Sequence, residues 1–252
     1  MTSTTYALYL ESGPKRKKTM VHALDLLGCV AVGPTTEAAL GATPEAIRLY
    51  KRFLRRHGED AGDPDAPVEL RVAEHITSGS WLGNGSPYLI FGPDLEPLSG
   101  EEIERYLLRC RWLCGALADW AETQSDAHLE TAPAGGGRTA QAILLHVLGA
   151  QGAYLSSALG SAPGFSALAS AAERGERPVS DALRQSAEMV AARVRLTTPA
   201  ERAAVRELSA GPRTLHKALR RVLEHTWEHL AELSRRPDGP PLEGSSDASA
   251  EM

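Results

Sequence analysis

Leu219-Arg220-Arg221-Val222-Leu223-Glu224-His225-Thr226-Trp227-Glu228-His229-Leu230 is the stretch that decides how the chain is read. Its apolar residues recur at helical intervals. His225 and His229 lie four apart, so an α-helix puts both imidazoles on one face, one turn from each other. Ala218 and Val222 share that face, which therefore points toward a core. His216 is nine residues from His225, about 180° round a helix advancing ~100° per residue, and faces away. Two imidazoles one turn apart either pack or hold one ion, and the pair alone does not choose between these.

Working backward from that helix, three more amphipathic segments follow Ser99. They run from Ser99 to about Thr123, from Thr139 to about Leu159, and from Ser180 to about Leu196, and the histidine helix itself runs from Thr214 to about Leu233. Ser99 and Glu102 form a capping box that opens the first. Gly135-Gly136-Gly137, Pro163-Gly164, Pro178 and Gly211-Pro212 break the chain between them. Four amphipathic helices bury their apolar faces together as an all-α four-helix bundle, expected over residues 96–236. In such a bundle the second and fourth helices can face each other. The second carries His146 within Ala142-Ile143-Leu144-Leu145-His146-Val147-Leu148-Gly149, where almost nothing else is polar. Three neutral imidazoles leave a fourth position open for water or substrate, the pattern of a reactive site.

Gly137-Arg138-Thr139-Ala140-Gln141-Ala142-Ile143-Leu144-Leu145-His146-Val147 and the Leu219–Leu230 stretch resemble the second-helix and last-helix signatures of the DinB-like metal-binding bundle family. The resemblance covers about residues 99 to 236. It implies a divalent metal ion (zinc, nickel or similar) held by His146, His225 and His229. Relatives often carry Glu five residues after the helix-two histidine, where this chain has Gln151. Several use the metal to activate a low-molecular-weight thiol for transfer or isomerisation, because a metal favours the nucleophilic thiolate. The resemblance thus implies a thiol-dependent transferase or isomerase, or a metal-assisted hydrolase, with a thiol or another small molecule as substrate. Glu224 and Glu228 are either supports for the imidazoles or solvated helix charges.

The first hundred residues have another period. Tyr6–Leu10, Met20–Leu24, Cys29–Val32, Val68–Ile76 and Pro87–Phe91 read as strands, and the helical spacing between Thr43 and Gly58 reads as one main helix with Pro44 at its first position. The expectation is an α+β domain over 1–95, a small antiparallel sheet with one helix. Met20 to Leu40, with its Asp25-Leu26-Leu27-Gly28-Cys29 step, resembles the HicB-like antitoxin fold over about residues 5 to 92. That resemblance implies a binding or dimerisation module, and it gives an alternative for the whole chain: a non-catalytic regulator that binds a protein partner, with the bundle as scaffold.

The remaining signals are weaker. His22, His57, His75 and His128 read as surface or helix-end residues. Cys110 and Cys114 are four apart on a helix and read as small apolar residues, and Trp112, Trp120 and Trp227 as packing. Lys15-Arg16-Lys17-Lys18 reads as a solvated turn. A formal net charge of -5 disfavours nucleic acid and anionic membranes. Three cysteines make no disulfide framework, the basic cluster follows the first apolar stretch in the wrong order for a secretory signal, and no run reads as approaching the ~20 apolar residues of a membrane span. A cytoplasmic protein is expected, with a disordered tail at 237–252.

Overall fold

The computed structural model describes residues 4–242. The N-terminal half holds strands β1 (Thr4–Ser12), β2 (Thr19–Ala23) and β3 (Val30–Gly33), helix α1 (Thr36–Arg56) and strand β4 (Val68–Ile76). The sheet order is β3-β2-β1-β4. β1 and β2, and β2 and β3, pair antiparallel, but β4 lies parallel to β1, from Thr4↔Val68 to Glu11↔Ile76. The sheet is therefore mixed rather than antiparallel. The reason is the crossover: α1 carries the chain back along the sheet, so β4 re-enters in the direction of β1.

Two further expectations change. The main helix begins well before Thr43, because the Thr35 hydroxyl caps it by accepting the Ala38 N–H at 3.1 Å, which leaves Pro44 inside α1. One missing donor is tolerated in a helix whose Ala39, Ile47, Tyr50, Phe53 and Leu54 are buried beneath the sheet. Pro87–Phe91 forms no strand. That segment is irregular and is tied by the Ser86 hydroxyl, which accepts the N–H groups of Tyr88 and Leu89, and by Glu11, whose buried carboxylate accepts the N–H groups of Gly85 and Ser86.

The C-terminal half is mostly helical. Its long helices are α2 (Gly100–Glu122), α4 (Ala140–Leu159), α6 (Val179–Arg195) and α8 (Leu215–Ser234). α2 packs on α6 and α8, and α4 packs on the same two, so every long helix has two long neighbours. The Ser99–Glu102 capping box opens α2 as the sequence predicts. The connections carry short helices α3 (Asp126–Glu130), α5 (Phe165–Glu173) and α7 (Pro199–Ala203), and a two-stranded ribbon of β5 (Arg206–Leu208) and β6 (Gly211–Arg213). By length and composition α4 does reach what a membrane crossing needs, contrary to the expectation from the sequence; it packs against α3, α5, α6 and α8.

One apolar core runs from the sheet into the helices. Trp227 of α8 meets the rings of Tyr50 and Phe53 at 4.8 and 5.4 Å between centroids. Gly28, at φ +107°, lets the backbone pass beneath the Tyr50 hydroxyl, which donates to the Leu27 carbonyl at 3.0 Å; a Cβ there would lie 2.1 Å from that oxygen. Arg109 of α2 reaches across to the Leu27 carbonyl at 2.7 Å and to Glu59. The first part of the expected disordered tail is docked: the Asp238 carbonyl accepts Trp120 Nε1–H at 2.7 Å and Leu242 packs against the core. From 243 onward that expectation lies outside the described residues.

Candidate metal centre

α4 and α8 lie side by side, and their contact brings the three predicted histidines together. One ring nitrogen from each of His146, His225 and His229 falls within 4.8 Å of the others. His146 Nε2 and His225 Nε2 are 3.0 Å apart, and the three ring centroids are separated by 4.5 to 5.3 Å. Nitrogens about 2.0–2.1 Å from one ion sit ~3.0 Å apart at a right angle and ~3.3 Å apart at the tetrahedral angle. The closest pair is therefore at ligand spacing. Among the described residues no other group of His, Cys, Asp or Glu forms such a cluster.

His225 and His229 are buried, whereas His146 is exposed, so the centre opens to solvent on the α4 side. The sequence placed His146 among apolar neighbours, but only Ile143, Leu144, Val147 and Leu148 of that stretch turn inward. Burial, then the charge of Arg221, holds the His225 imidazole well below its ordinary range; burial, then His229, lowers that of His146 as well. Both are neutral at neutral pH, the form in which a ring nitrogen can ligate.

The third imidazole is oriented by a residue the sequence reading missed. His229 Nδ1–H donates to Glu232 Oε2 at 2.7 Å, which leaves Nε2 as the free nitrogen. Glu232 is itself flanked by Arg138 at 3.6 Å and Arg236 at 3.5 Å. The signal was present as a carboxylate three residues beyond the second histidine, one helical turn on. Glu232→Ala is expected to weaken metal binding by about 10- to 100-fold while leaving the fold intact. Competition against a chromophoric chelator reads the affinity; an unchanged value would show that the Glu232 bond does not set the His229 tautomer.

Glu224 does not support the imidazoles, nor is it solvated. It is buried and turned toward the sheet, where it accepts His22 Nδ1–H at 2.8 Å and bonds to Arg220 and Arg221 at 3.0 and 2.9 Å. His22 is thus a buried member of an ionic network rather than a surface residue. His57 is not a bare helix end either, since it stacks on Trp112 with centroids 5.2 Å apart. His75 bonds to the Ser12 hydroxyl. His216 faces away as its phase predicts, and its Nδ1 donates to the Glu96 carbonyl.

Gln151 is buried between four helices. Its amide oxygen accepts the Ser186 hydroxyl at 2.5 Å, and its amide nitrogen donates to Cys114 Sγ at 3.1 Å and to Thr226 Oγ1 at 3.4 Å. An amide serves donors and acceptors at once, which a carboxylate cannot. Cys114 belongs to this junction, and Cys110 lies beside it in the core of α2. Lys15, Lys17 and Lys18 lie on an exposed turn, with Lys18 Nζ bonded to Asn84 Oδ1.

The arrangement is a cluster of three histidines, open to solvent and carried by two neighbouring helices of a helical region, that could hold a metal ion. Residues 111–233 match the model of the DinB superfamily, whose domains are metal-binding in general. The match runs from within α2 almost to the end of α8 and contains all three histidines. It does not reach the N-terminal half, and the HicB-like resemblance finds no support in it. No curated protein and no solved structure matches the chain.

Proposed function

We propose that this is a metal-dependent DinB-like protein whose four long helices form that family's bundle, and that His146, His225 and His229 hold one divalent ion for thiol-dependent transfer or isomerisation, or for metal-assisted hydrolysis. The observation that carries the reading is the convergence of three ring nitrogens, two of them 3.0 Å apart, at the open edge of the α4–α8 contact. When bound, the ion supplies Lewis acidity that favours the deprotonated form of a thiol or of water. The chain's own groups do the rest. Glu232 fixes the His229 ring, burial keeps His225 neutral, and the exposed side of His146 leaves room for a small molecule to approach. Three free cysteines agree with a cytoplasmic setting. The half spanning 1–95 is proposed as a module for self-association or a protein partner, on the resemblance of its sequence alone.

Elemental analysis tests the centre directly. The purified wild type is expected to carry stoichiometric zinc, nickel or a similar ion, and to melt at a lower temperature after chelation, since a ligand of the native state alone raises stability. His225→Ala and His146→Ala should lose the ion while keeping the helical circular dichroism of the parent. Stoichiometric metal persisting in both variants would overturn the assignment. A screen of low-molecular-weight thiols against electrophilic acceptors then separates thiol chemistry from hydrolysis.

A further inference from the structure

One helical turn before His225, on the same helix, a cavity of about 230 Å³ opens between α4, α8 and the irregular segment after β4. Arg213, Lys217 and Arg221 line it, with Tyr154 between it and the metal centre. The Tyr154 ring lies 5.9 Å from that of His225. The cavity's size is below the ~300–1,000 Å³ of drug-sized ligand pockets, so it suits a small molecule.

Its charge is unbalanced. Three basic side chains contribute to the wall and no acidic side chain does. Lys217 is 3% exposed and Arg221 1%, yet Lys217 Nζ and Arg221 Nε are buried without any hydrogen-bond partner. Arg221 Nη1 is satisfied by Glu224, but Nη2 reaches only the Tyr154 hydroxyl, at 3.5 Å. The unfilled side of this guanidinium is thus its Nε–Nη2 edge, two parallel N–H groups that match the two oxygens of a carboxylate. A buried donor left unmade is costly, and a buried ammonium more so, which is why such groups are seldom retained without a partner. The rest of the lining is largely apolar, with Pro87, the Tyr88 ring, Ala153 and Ala218. A carboxylate with a short hydrocarbon body satisfies both the basic and the apolar lining, whereas inorganic phosphate satisfies only the basic part.

We propose that this cavity binds a small organic carboxylate, held by Lys217 and Arg221 and lying one helical turn from the metal centre. The pocket stands on its own residues and does not need the metal reading. If that reading also holds, the carboxylate is part of the substrate whose reacting end faces the histidines.

Calorimetric titration of the full-length protein with butyrate and with inorganic phosphate tests this, in metal-loaded and in chelator-treated samples. Saturable butyrate binding is expected in both samples, tighter than phosphate. It should weaken at least tenfold in Lys217→Met and in Ala153→Trp, which fills the cavity from an exposed position and leaves the cations in place. Any of four results overturns the proposal: no saturation in either sample, preference for phosphate, butyrate affinity unchanged in both variants, or binding confined to metal-loaded protein. The last would place the carboxylate on the ion instead. Failure of the metal assignment shows separately, in the elemental analysis, and leaves the chelator-treated titration valid.

Discussion

Replacing Glu224 with alanine is expected to destabilise the protein by about 3–5 kcal/mol, because it strips the counter-charge from an ionic cluster sealed between the sheet and α8. Arg220 and Arg221 are each 1% exposed and His22 is equally buried. Arg220 forks onto Asp94, at 2.7 Å through Nε and 2.8 Å through Nη2, and turns its third nitrogen to Glu224. Arg221 relies on Glu224 as its charged partner and packs its guanidinium against Gly85, where a Cβ would come within 2.2 Å of Nη2. Without Glu224, Arg220 keeps Asp94, but the buried Arg221 and His22 lose the carboxylate to which they bond. Glu224→Gln keeps the shape and some hydrogen bonding but not the charge, so it should fall between parent and alanine variant.

The pH dependence of that effect follows from the carboxyl groups. Burial pushes Glu224 up, but Arg220, His22 and Arg221 outweigh it and hold the group well below its ordinary value of 4.5. Asp94 is likewise held down, chiefly by Arg220 against burial. A carboxyl depressed in the folded state contributes fully above its unfolded value and loses that contribution as pH falls toward the folded one. The gap between wild type and Glu224→Ala should therefore be constant around neutrality and shrink only in acid below about 4.5. Urea unfolding at several pH values measures it. A difference within ~0.5 kcal/mol at neutral pH, the size of an ordinary surface substitution, would show that the cluster is hydrated.

The histidine cluster was legible because its signal is local. His225 and His229 share a face by helical geometry, and apolar periodicity alone separates them from His216. His146 needed the packing of α4 on α8, which spacing does not encode, and the family signature supplied it. The ionic cluster was invisible for the opposite reason. His22 and Glu224 are separated by most of the chain, and each has innocent local surroundings, a strand and a charged helix turn. Glu224 follows two arginines in a pattern typical of a solvated face, and only the sheet lying over α8 turns that face into an interior. The parallel β4 was missed similarly, since strand spacing carries no direction. Pro87–Phe91 is apolar enough for a strand, but Ser86 claims its first N–H groups and pulls it into a loop.

Lys217→Met is expected to act the other way and raise stability at neutral pH, by an amount on the order of a few kcal/mol. Methionine keeps the apolar stem of the side chain and removes a buried amino group that has no hydrogen-bond partner, together with the cost of holding it without its proton. Burial, then the charge of Arg220, and further those of Arg213 and Arg221, push the Lys217 amine down to about 6, with Asp94 alone among the nearby groups pulling it up. Below that value both folded and unfolded chains carry the proton, and the folded one holds a buried cation at full penalty. Between about 6 and the ordinary value of 10.5, the unfolded chain binds a proton that the folded chain lacks, so the Lys217 contribution to stability rises with pH. Above 10.5 both are neutral and the penalty is gone. The advantage of Lys217→Met should therefore be greatest in acid and fade steadily as the solution is made alkaline. Saturating butyrate should narrow it at neutral pH, because the anion supplies the partner that the fold withholds. Equal stability of the two proteins from neutral to alkaline pH would mean that the amine is already satisfied, and the cavity beside His225 would then lose the unbalanced charge that draws a carboxylate to it.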